Sequence, residues 1–213
     1  MKKPRVLLAD DHRILAEGVR GLLEPEFELV GIVSDGRELV EATIKLRPDV
    51  VVADISMPSL NGIDAVVQIR QVEVPCRVVF LTMQRDVSYA RRAIEAGASG
   101  YVLKHSDHDE LITAIREALR GRTYVTPLIA GELLRSYRED GLQAADADRK
   151  LTPRQREVLQ LSAEGRSAKE IASLLHISSR TAEYHRARVM KVLGIRTAAE
   201  LVQYAMRNGI ISD

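Results

Sequence analysis

A short apolar run that ends in a carboxylate is the feature that most constrains the fold of this chain. Residues 50–53 are Val-Val-Val-Ala, and Asp54 follows them directly. Pro58 and the pair Asn61-Gly62 then break the apolar pattern. A wholly apolar run bounded by turn residues predicts a strand that is buried on both faces, as in a parallel sheet. Open α/β sheets bind ligands at the carboxyl ends of such strands, which makes Asp54 the first candidate functional residue.

Similar runs recur through the first 120 residues, where five predicted strands alternate with five predicted helices. The strands are expected at residues 5–9, 27–33, 50–54, 78–82 and 100–104. Apolar residues at helical spacing follow each strand, and Ser106 is the expected N-cap of the fifth helix. This alternation predicts an α/β domain with a doubly wound, five-stranded parallel sheet and right-handed crossovers.

Only helices are predicted in the C-terminal third of the chain. A shorter helix is expected at residues 128–137, and residues 141–150 are polar and lack an apolar period, which is typical of a linker. From residue 151 onward, four short helices are expected. Thr152, Ser167 and Thr197 each have Gln or Glu three residues later, which predicts capping boxes with reciprocal hydrogen bonds, and Ser178 is a simple cap. We therefore predict an α/β domain over residues 1–122, a linker with a short helix over 123–150, and an all-α four-helix domain over 151–213.

Charge is divided unevenly between these parts. Residues 151–213 hold ten Lys/Arg and six Asp/Glu, a net charge of +4, whereas residues 1–150 hold 21 and 24, a net charge of −3. A basic C-terminal part indicates contact with nucleic acid, although an ordinary solvated surface carries similar charge. The apolar runs are too short for a membrane span, we expect no signal peptide, and Cys76 is the single cysteine. We expect a cytoplasmic protein without membrane contact.

Five polar residues stand at or just beyond the ends of strands that adjoin in a doubly wound sheet: Asp10, Asp11, Asp54, Thr82 and Lys104. Crowded carboxylates repel one another, and Mg²⁺ relieves the repulsion because it prefers oxygen ligands. Asp54 could then attack phosphorus as a carboxylate nucleophile, while Lys104 and the Thr82 hydroxyl donate to phosphoryl oxygens. Single aspartates after strands are more often turn residues or helix caps, but five such positions together favour a functional site.

Residues 1 to about 120 resemble the receiver domain of two-component systems. The motifs that carry the resemblance are Asp10-Asp11, Asp54-Ile-Ser-Met-Pro58, Asn61-Gly62, Leu81-Thr82 and Tyr101-Val-Leu-Lys104. The resemblance implies that Asp54 is the phosphoacceptor. It also implies that Asp11, Asp54 and the Ser56 carbonyl bind Mg²⁺, with Asp10 acting through water.

The resemblance further implies a switch pair, in which the Thr82 hydroxyl moves toward the phosphoryl group as the Tyr101 ring turns inward. An ordinary aromatic residue covering the sheet edge is the alternative for Tyr101. Met83 departs from the family pattern, because receivers favour a small residue after the switch threonine. Its thioether is expected to restrict access to the aspartyl phosphate.

Residues 151–213 resemble the LuxR-type helix-turn-helix of NarL/FixJ response regulators. The motifs are Leu151-Thr-Pro-Arg-Gln-Arg-Glu-Val-Leu159, Glu164-Gly165, Lys169-Glu-Ile-Ala172, Ile177-Ser178, Thr181, His185 and Lys191-Val-Leu-Gly194. In the helix after Ser178, Ala182, His185, Val189 and Val192 share the face that we expect to pack inward. Seven other residues of this helix are predicted to contact a DNA major groove and its phosphates: Arg180, Thr181, Glu183, Tyr184, Ala187, Arg188 and Lys191. A solvated helix face is the alternative.

The two resemblances imply a response regulator that a sensor histidine kinase phosphorylates on Asp54 and that binds double-stranded operator DNA to regulate transcription. A homodimer is expected when the chain is phosphorylated or bound to DNA, because such domains read paired half-sites. One alternative is a phosphoaspartyl enzyme such as a phosphatase, but the Asp-x-Asp pair typical of those enzymes is absent at Asp54. Another is a receiver-like module that works without phosphorylation, against which the acidic residues and Lys104 count.

Overall fold

The chain divides into two compact units, Met1–Glu139 (unit 1) and Asp140–Asp213 (unit 2). The structure, a computed structural model, describes residues 2–139 and 151–211. The predicted linker at residues 141–150 lies outside the described residues. Within the described ranges, no helix is both long and apolar enough to cross a membrane.

Unit 1 is built around one parallel sheet. In the described part of this unit the sheet has six strands in the order β2-β1-β3-β4-β5-β6. The strands are β1 (Arg5–Ala9), β2 (Glu28–Val33), β3 (Val50–Ala53), β4 (Arg77–Thr82), β5 (Gly100–Leu103) and β6 (Tyr124–Val125). The strand order reverses at β1, so the crevice that open sheets use for ligands lies at the carboxyl ends of β1 and β3.

Helices cover both faces of this sheet, as predicted for a doubly wound fold. They are α1 (Arg13–Leu23), α2 (Gly36–Leu46), α3 (Gly62–Gln71), α4 (Val87–Glu95), α5 (His108–Leu119) and α6 (Pro127–Glu139). Successive residues of β1 point to opposite faces: Val6 and Leu8 pack with α1 and α5, whereas Leu7 and Ala9 pack with the remaining helices. All four are at most 1% exposed. Each fully buried Val or Leu side chain stabilises the fold by about 1.5–3 kcal/mol.

The sheet has one strand more than the predicted five. The sixth strand, Tyr124–Val125, pairs in parallel with β5. The amide of Tyr124 donates to the Ser99 carbonyl at 3.0 Å, and the amide of Thr126 donates to the Tyr101 carbonyl at 2.9 Å. A two-residue strand is too short to show the alternation that marks longer strands, so the sequence pattern could not reveal it.

Helix α6 directly follows this strand and belongs to the core of unit 1. It extends beyond both ends of the predicted helix at residues 128–137. Ile129 and Leu133 are 2% and 7% exposed and join the core on the face covered by α4. The Arg91 guanidinium of α4 lies 5.3 Å from the centre of the Tyr137 ring, a cation–π contact between the two helices.

The predicted N-cap of α5 is wrong. The helix begins at His108 after Asp107, and the Asp107 side chain makes no capping bond. The Ser106 hydroxyl instead lies 3.4 Å from the Thr126 hydroxyl, just after β6. The unpredicted strand therefore supplied a tertiary partner that competed with the local cap.

Unit 2 contains four helices among residues 151–211, in agreement with the predicted number. They are α7 (Pro153–Ala163), α8 (Ala168–Leu175), α9 (Ser179–Leu193) and α10 (Ala198–Arg207). The predicted capping boxes at Thr152 and Ser167 are confirmed, and the Ser178 hydroxyl accepts from an amide of α9 as predicted. Thr197 caps α10, but the Glu200 carboxylate accepts the Arg196 amide at 2.7 Å, which differs from the predicted reciprocal bond.

Helix α9 lies between two clusters of apolar side chains. Val189, 1% exposed, packs with residues of α7 and α10 such as Leu159 and Leu201. Ala182, also 1% exposed, packs with residues of α7 and α8 such as Leu161 and Ile171. Because both contacts lie on one side of α9, the opposite side of the helix remains available to solvent or to a ligand.

Candidate functional site

The carboxyl ends of β1, β3, β4 and β5 hold four of the predicted site residues. Asp10 follows β1, Asp54 follows β3, Thr82 ends β4 and Lys104 follows β5. Asp10 and Asp54 are each 3% exposed, and Thr82 is fully buried. The backbone continues the sheet hydrogen bonds here: the Asp54 amide donates to the Ala9 carbonyl, and the Lys104 amide donates to the Thr82 carbonyl, both at 2.8 Å. The sheet therefore fixes where each side chain starts.

Lys104 is shared between two buried carboxylates. Its Nζ lies 2.6 Å from Oδ2 of Asp54 and 2.8 Å from Oδ2 of Asp10. The three side chains are at most 4% exposed. One ammonium thus faces two carboxylates, and ionised aspartates leave the buried group with a net negative charge.

Burial shapes the ionisation of this group. Burial raises the pKa of Asp54 above its ordinary value, and the charge and hydrogen bond of Lys104 oppose that rise. Burial acts to lower the pKa of Lys104, but the contacts with Asp54 and Asp10 outweigh it and raise that pKa. Lys104 therefore remains an ammonium at neutral pH and favours the ionised form of Asp54.

Asp11 and His12 extend the cluster toward solvent. The Asp11 side chain is 33% exposed and the His12 side chain is 65% exposed. His12 Nδ1 lies 2.8 Å from Oδ1 of Asp11 and 3.2 Å from Oδ1 of Asp10. Asp10, Asp11, His12 and Asp54 each offer one ligand atom, and these atoms all lie within 4.8 Å of one another.

This donor set fits a divalent cation. Three carboxylates and an imidazole converge while Lys104 compensates only part of their charge. Carboxylate oxygens are the ligands that Mg²⁺ prefers. The Ser56 amide donates to Oδ1 of Asp54 at 3.3 Å, which keeps the following loop beside the cluster. The acidic cluster could therefore hold a metal ion.

Gln84 connects the loops around the cluster. Its side-chain amide donates to the Ser56 hydroxyl at 3.2 Å, and its backbone amide donates to the Thr82 hydroxyl at 3.3 Å. The Tyr101 hydroxyl donates to the Gln84 carbonyl at 2.8 Å. Tyr101 is fully buried, and burial raises the pKa of its phenol, so it stays a donor. The ring of Tyr101 therefore points inward in this structure.

The loop after Asp54 folds back so that the backbone of Gly62 lies against the backbone of Asp54 and Ile55. The Gly62 amide donates to the Ile55 carbonyl at 2.8 Å, and the Asn61 side chain caps α3 by accepting from Asp64. A Cβ at position 62 would lie 2.1 Å from the carbonyl oxygen of Asp54. Only glycine allows this approach, so Gly62 fixes the backbone that carries Asp54.

Sequence reasoning missed His12 and Gln84 as members of this site. His12 directly follows the acidic pair, and Gln84 stands two residues after Thr82, so their positions in the chain were the available signal. Met83, predicted to affect access, is 57% exposed.

A second candidate site lies in unit 2, where α8 and α9 form a helix-turn-helix. His176, in a left-handed conformation, ends α8, and Ser178 caps α9. Arg154 of α7 donates to the Leu175 carbonyl at the end of α8 and to Glu157 at 2.9 Å. A cation at the C-terminus of a helix is favourable and holds the turn against α7.

The predicted DNA-contacting residues lie on one helix, and most are exposed. Those exposed are Arg180, Glu183, Tyr184, Ala187, Arg188 and Lys191. Thr181 is half-buried, and its hydroxyl lies 2.8 Å from that of Ser178. On the inward side, Ala182 and Val189 are buried, whereas His185 and Val192 are half-buried.

Two family models match the chain. Residues 6–116 match the response regulator receiver domain, and residues 149–205 match the bacterial regulatory proteins of the luxR family. The first match covers the acidic cluster, and the second covers the helix-turn-helix. The chain belongs to the LuxR family of two-component response regulators.

Relatives of this response regulator align with nearly its whole length. It is 39% identical to the transcriptional regulatory protein MctR of Rhizobium johnstonii over 99% of this chain and 96% of that protein. It is 34% identical to the transcriptional regulatory protein DegU of Brevibacillus brevis over 97% of this chain and 94% of that protein. The chain is therefore a regulator of transcription rather than a phosphoaspartyl enzyme.

Solved structures agree with this assignment. A LuxR-family two-component response regulator from Aurantimonas aligns with a TM-score of 0.61 and 39% identity, covering 64% of this chain and 99% of that chain. RcsB from Salmonella enterica serovar Typhimurium, bound to promoter P1flhDC in the presence of the phosphomimetic BeF₃⁻, aligns with a TM-score of 0.64 and 27% identity. That alignment covers 97% of this chain and 100% of RcsB.

Proposed function

We propose that a sensor histidine kinase phosphorylates Asp54 and that this modification controls binding of the regulator to operator DNA. The buried Asp10–Lys104–Asp54 arrangement is the observation that carries the proposal, because it keeps a carboxylate nucleophile beside a fixed cation at the carboxyl ends of the strands. Residues 1–122 would receive the signal and residues 151–213 would bind DNA. Residues 123–150, of which β6 and α6 belong to unit 1, would connect the two.

In the proposed reaction an oxygen of Asp54 forms a bond to phosphorus while the bond from phosphorus to the donor breaks. Lys104 would then move from the carboxylate to a phosphoryl oxygen, and the Thr82 hydroxyl would donate to another. The proposed metal is Mg²⁺, held by Asp11, Asp54 and the Ser56 carbonyl, with Asp10 acting through water. When bound, Mg²⁺ would neutralise charge on the incoming phosphoryl group.

Thr82 and Tyr101 are the proposed switch pair. Their hydroxyls both contact the backbone of Gln84, which supports a coupled movement of the two side chains. If Thr82 turned toward a phosphoryl group, it would release the Gln84 amide and alter the backbone that holds Tyr101. Phosphorylation would then shift the population of two arrangements rather than create a new fold.

Labelling by acetyl phosphate tests the phosphoacceptor. We expect Mg²⁺-dependent incorporation of one phosphoryl group in the wild type and none in Asp54→Ala. Asp109→Ala, which removes an exposed carboxylate from α5, is the matched control and should label normally. Equal labelling of Asp54→Ala and the control would contradict the assignment and would favour regulation without phosphorylation at this residue.

The proposed DNA surface is the exposed side of α9. Arg180, Arg188 and Lys191 are exposed there and can meet phosphates or guanine edges, while Thr181 can reach a phosphate from the helix start. Glu183, Tyr184 and Ala187 would contact base edges. The complex of RcsB with a promoter supports double-stranded DNA as the partner.

Salt dependence tests this surface. Log affinity for operator DNA should fall with log salt by about 0.9 per neutralised phosphate. Lys191→Ala should weaken binding on all sequences about equally and reduce that slope. Lys45→Ala, which removes the same charge from an exposed position of α2, should do neither. An affinity that is insensitive to salt and to Lys191→Ala would rule out this surface.

We also propose a homodimer on DNA or after phosphorylation, paired through α10. Leu201 and Ala205 of this helix are buried inside unit 2, while Val202 is half-buried and Met206 is 38% exposed. The solved structure of two RcsB dimers bound to DNA supports pairing. Light scattering with and without BeF₃⁻ and Mg²⁺ should detect the dimer, and Met206→Glu should weaken it. The proposed location is the cytoplasm, where DNA is accessible.

A further inference from the structure

His12 is the one member of the four-residue cluster that is not an acid. It is placed by the chain itself, because it follows Asp10 and Asp11 and is the N-cap residue of α1. Its backbone amide donates to Oδ1 of Asp10 at 2.9 Å, which orients the residue toward the strand ends. Its side chain makes no capping bond to α1. The imidazole is therefore turned to the carboxylates rather than to its own helix.

The distances around Nδ1 match those between neighbouring ligands of one cation. Ligands at about 2.1 Å from an octahedral cation and at right angles to each other lie about 3.0 Å apart. Nδ1 of His12 lies 2.8 Å from Oδ1 of Asp11 and 3.2 Å from Oδ1 of Asp10. The imidazole and the Asp11 carboxylate could therefore take adjacent positions around one ion with little movement of the side chains, and Asp10 could contact the ion through water.

We propose that His12 supplies a nitrogen ligand to the cation site and thereby makes it favour Co²⁺ and Ni²⁺ over Mg²⁺ more strongly than carboxylates alone would. Imidazole suits transition metals, and affinity at such sites rises from Mn²⁺ through Co²⁺ to Ni²⁺. Mg²⁺ gains less, because it prefers oxygen. His12 thus sets the choice of metal, while Asp11 and Asp54 provide the common ligands.

This inference rests on the proposed metal site at Asp11 and Asp54, and the two can fail separately. Calorimetric titration of the full chain at one fixed pH with Mg²⁺, Co²⁺ and Ni²⁺ measures both. His12→Asn should reduce Co²⁺ and Ni²⁺ affinity by about tenfold or more, since even disturbing the partners of a ligand costs roughly 10–100-fold. Mg²⁺ affinity should change much less.

His105→Asn is the matched control, because His105 is exposed in the same unit and lies outside the cluster. It should retain the wild-type affinity for all three cations. Co²⁺ bound to wild type should also give a hyperfine-shifted imidazole N–H signal in the proton NMR spectrum, which His12→Asn loses and His105→Asn retains.

Three outcomes separate the possibilities. Loss of Co²⁺ and Ni²⁺ affinity in His12→Asn alone, with loss of the shifted signal, supports His12 as a ligand. Unchanged or raised affinity for every cation overturns it, and raised affinity would mean that the imidazole competes with the ion for the acidic pair. Unchanged binding in Asp11→Asn would contradict the metal site itself, and with it this inference.

Discussion

Substitution of Lys104 by methionine removes the ammonium between Asp10 and Asp54 while keeping a side chain of similar length. At an effective dielectric constant of about 20, each contact at this distance is worth about 6 kcal/mol of Coulomb attraction. Most of that attraction offsets the cost of desolvating three buried charges. Without the ammonium two buried carboxylates lose their counterion, which costs about 3–5 kcal/mol. We expect unit 1 to lose that much free energy of unfolding at pH 8.

The expected loss depends on pH with a definite sign. The pKa of Lys104 is raised, so its stabilising effect is complete below the ordinary lysine value of about 10.4 and is lost only at higher pH. The pKa of Asp54 is also raised by burial, so acid neutralises the uncompensated carboxylate. The deficit of Lys104→Met should therefore be largest near pH 8 and should shrink as the pH falls.

Hydrogen exchange of peptides from β3 and β4 in the full chain measures this loss, because these central strands exchange only when unit 1 opens. Arg116→Met is the control: its guanidinium pairs with Glu26 at 2.6 Å, but both side chains are 41–50% exposed, so the cost should be about 0–1 kcal/mol. Adding Asp54→Asn to Lys104→Met should recover part of the loss. Equal stability of Lys104→Met and Arg116→Met at pH 8 would refute the reasoning.

Three further predictions follow from close contacts elsewhere. Gly62→Ala should destabilise unit 1 and impair labelling of Asp54, because the added Cβ would clash with the Asp54 carbonyl. In Gly131→Ala the added Cβ has no atom within 4 Å, so this change should stabilise α6 by about 0.5–1 kcal/mol in thermal denaturation. Thr152→Ala should cost unit 2 about 1 kcal/mol, measured by hydrogen exchange of α7. Burial raises the pKa of Tyr101, so this phenol should stay protonated up to pH ~11, and absorbance at 295 nm should show the same tyrosine ionisation in wild type and Tyr101→Phe. The protonated phenol stabilises the fold, and this contribution is lost as the pH rises above about 10, the tyrosine pKa in the unfolded chain.

Much of unit 1 could be predicted because its sequence signals are long and agree with one another. The run at residues 50–53 is buried on both faces, and the predicted alternation with helices gave the right winding. The capping boxes at Thr152 and Ser167 were equally visible, since both partners lie within one turn of the chain. Failures occurred where local and distant partners compete. Ser106 contacts Thr126 rather than capping α5, and β6 forms only through its hydrogen bonds to β5.

In the candidate site, too, some residues were predictable from the sequence and others were not. Topology alone brings Asp10, Asp54 and Lys104 together, because the strands of a parallel sheet end on the same side and the order of the strands was predictable. The roles of His12 and Gln84 depend instead on side-chain directions, which no spacing in the sequence specifies. A histidine after an acidic pair can cap a helix, face solvent or join the carboxylates. Here the hydrogen bond from the His12 backbone amide to the Asp10 carboxylate favours the contact with the carboxylates. Residues at strand ends are thus predictable from the order of strands, whereas the residues that join one strand end to another require the packed structure.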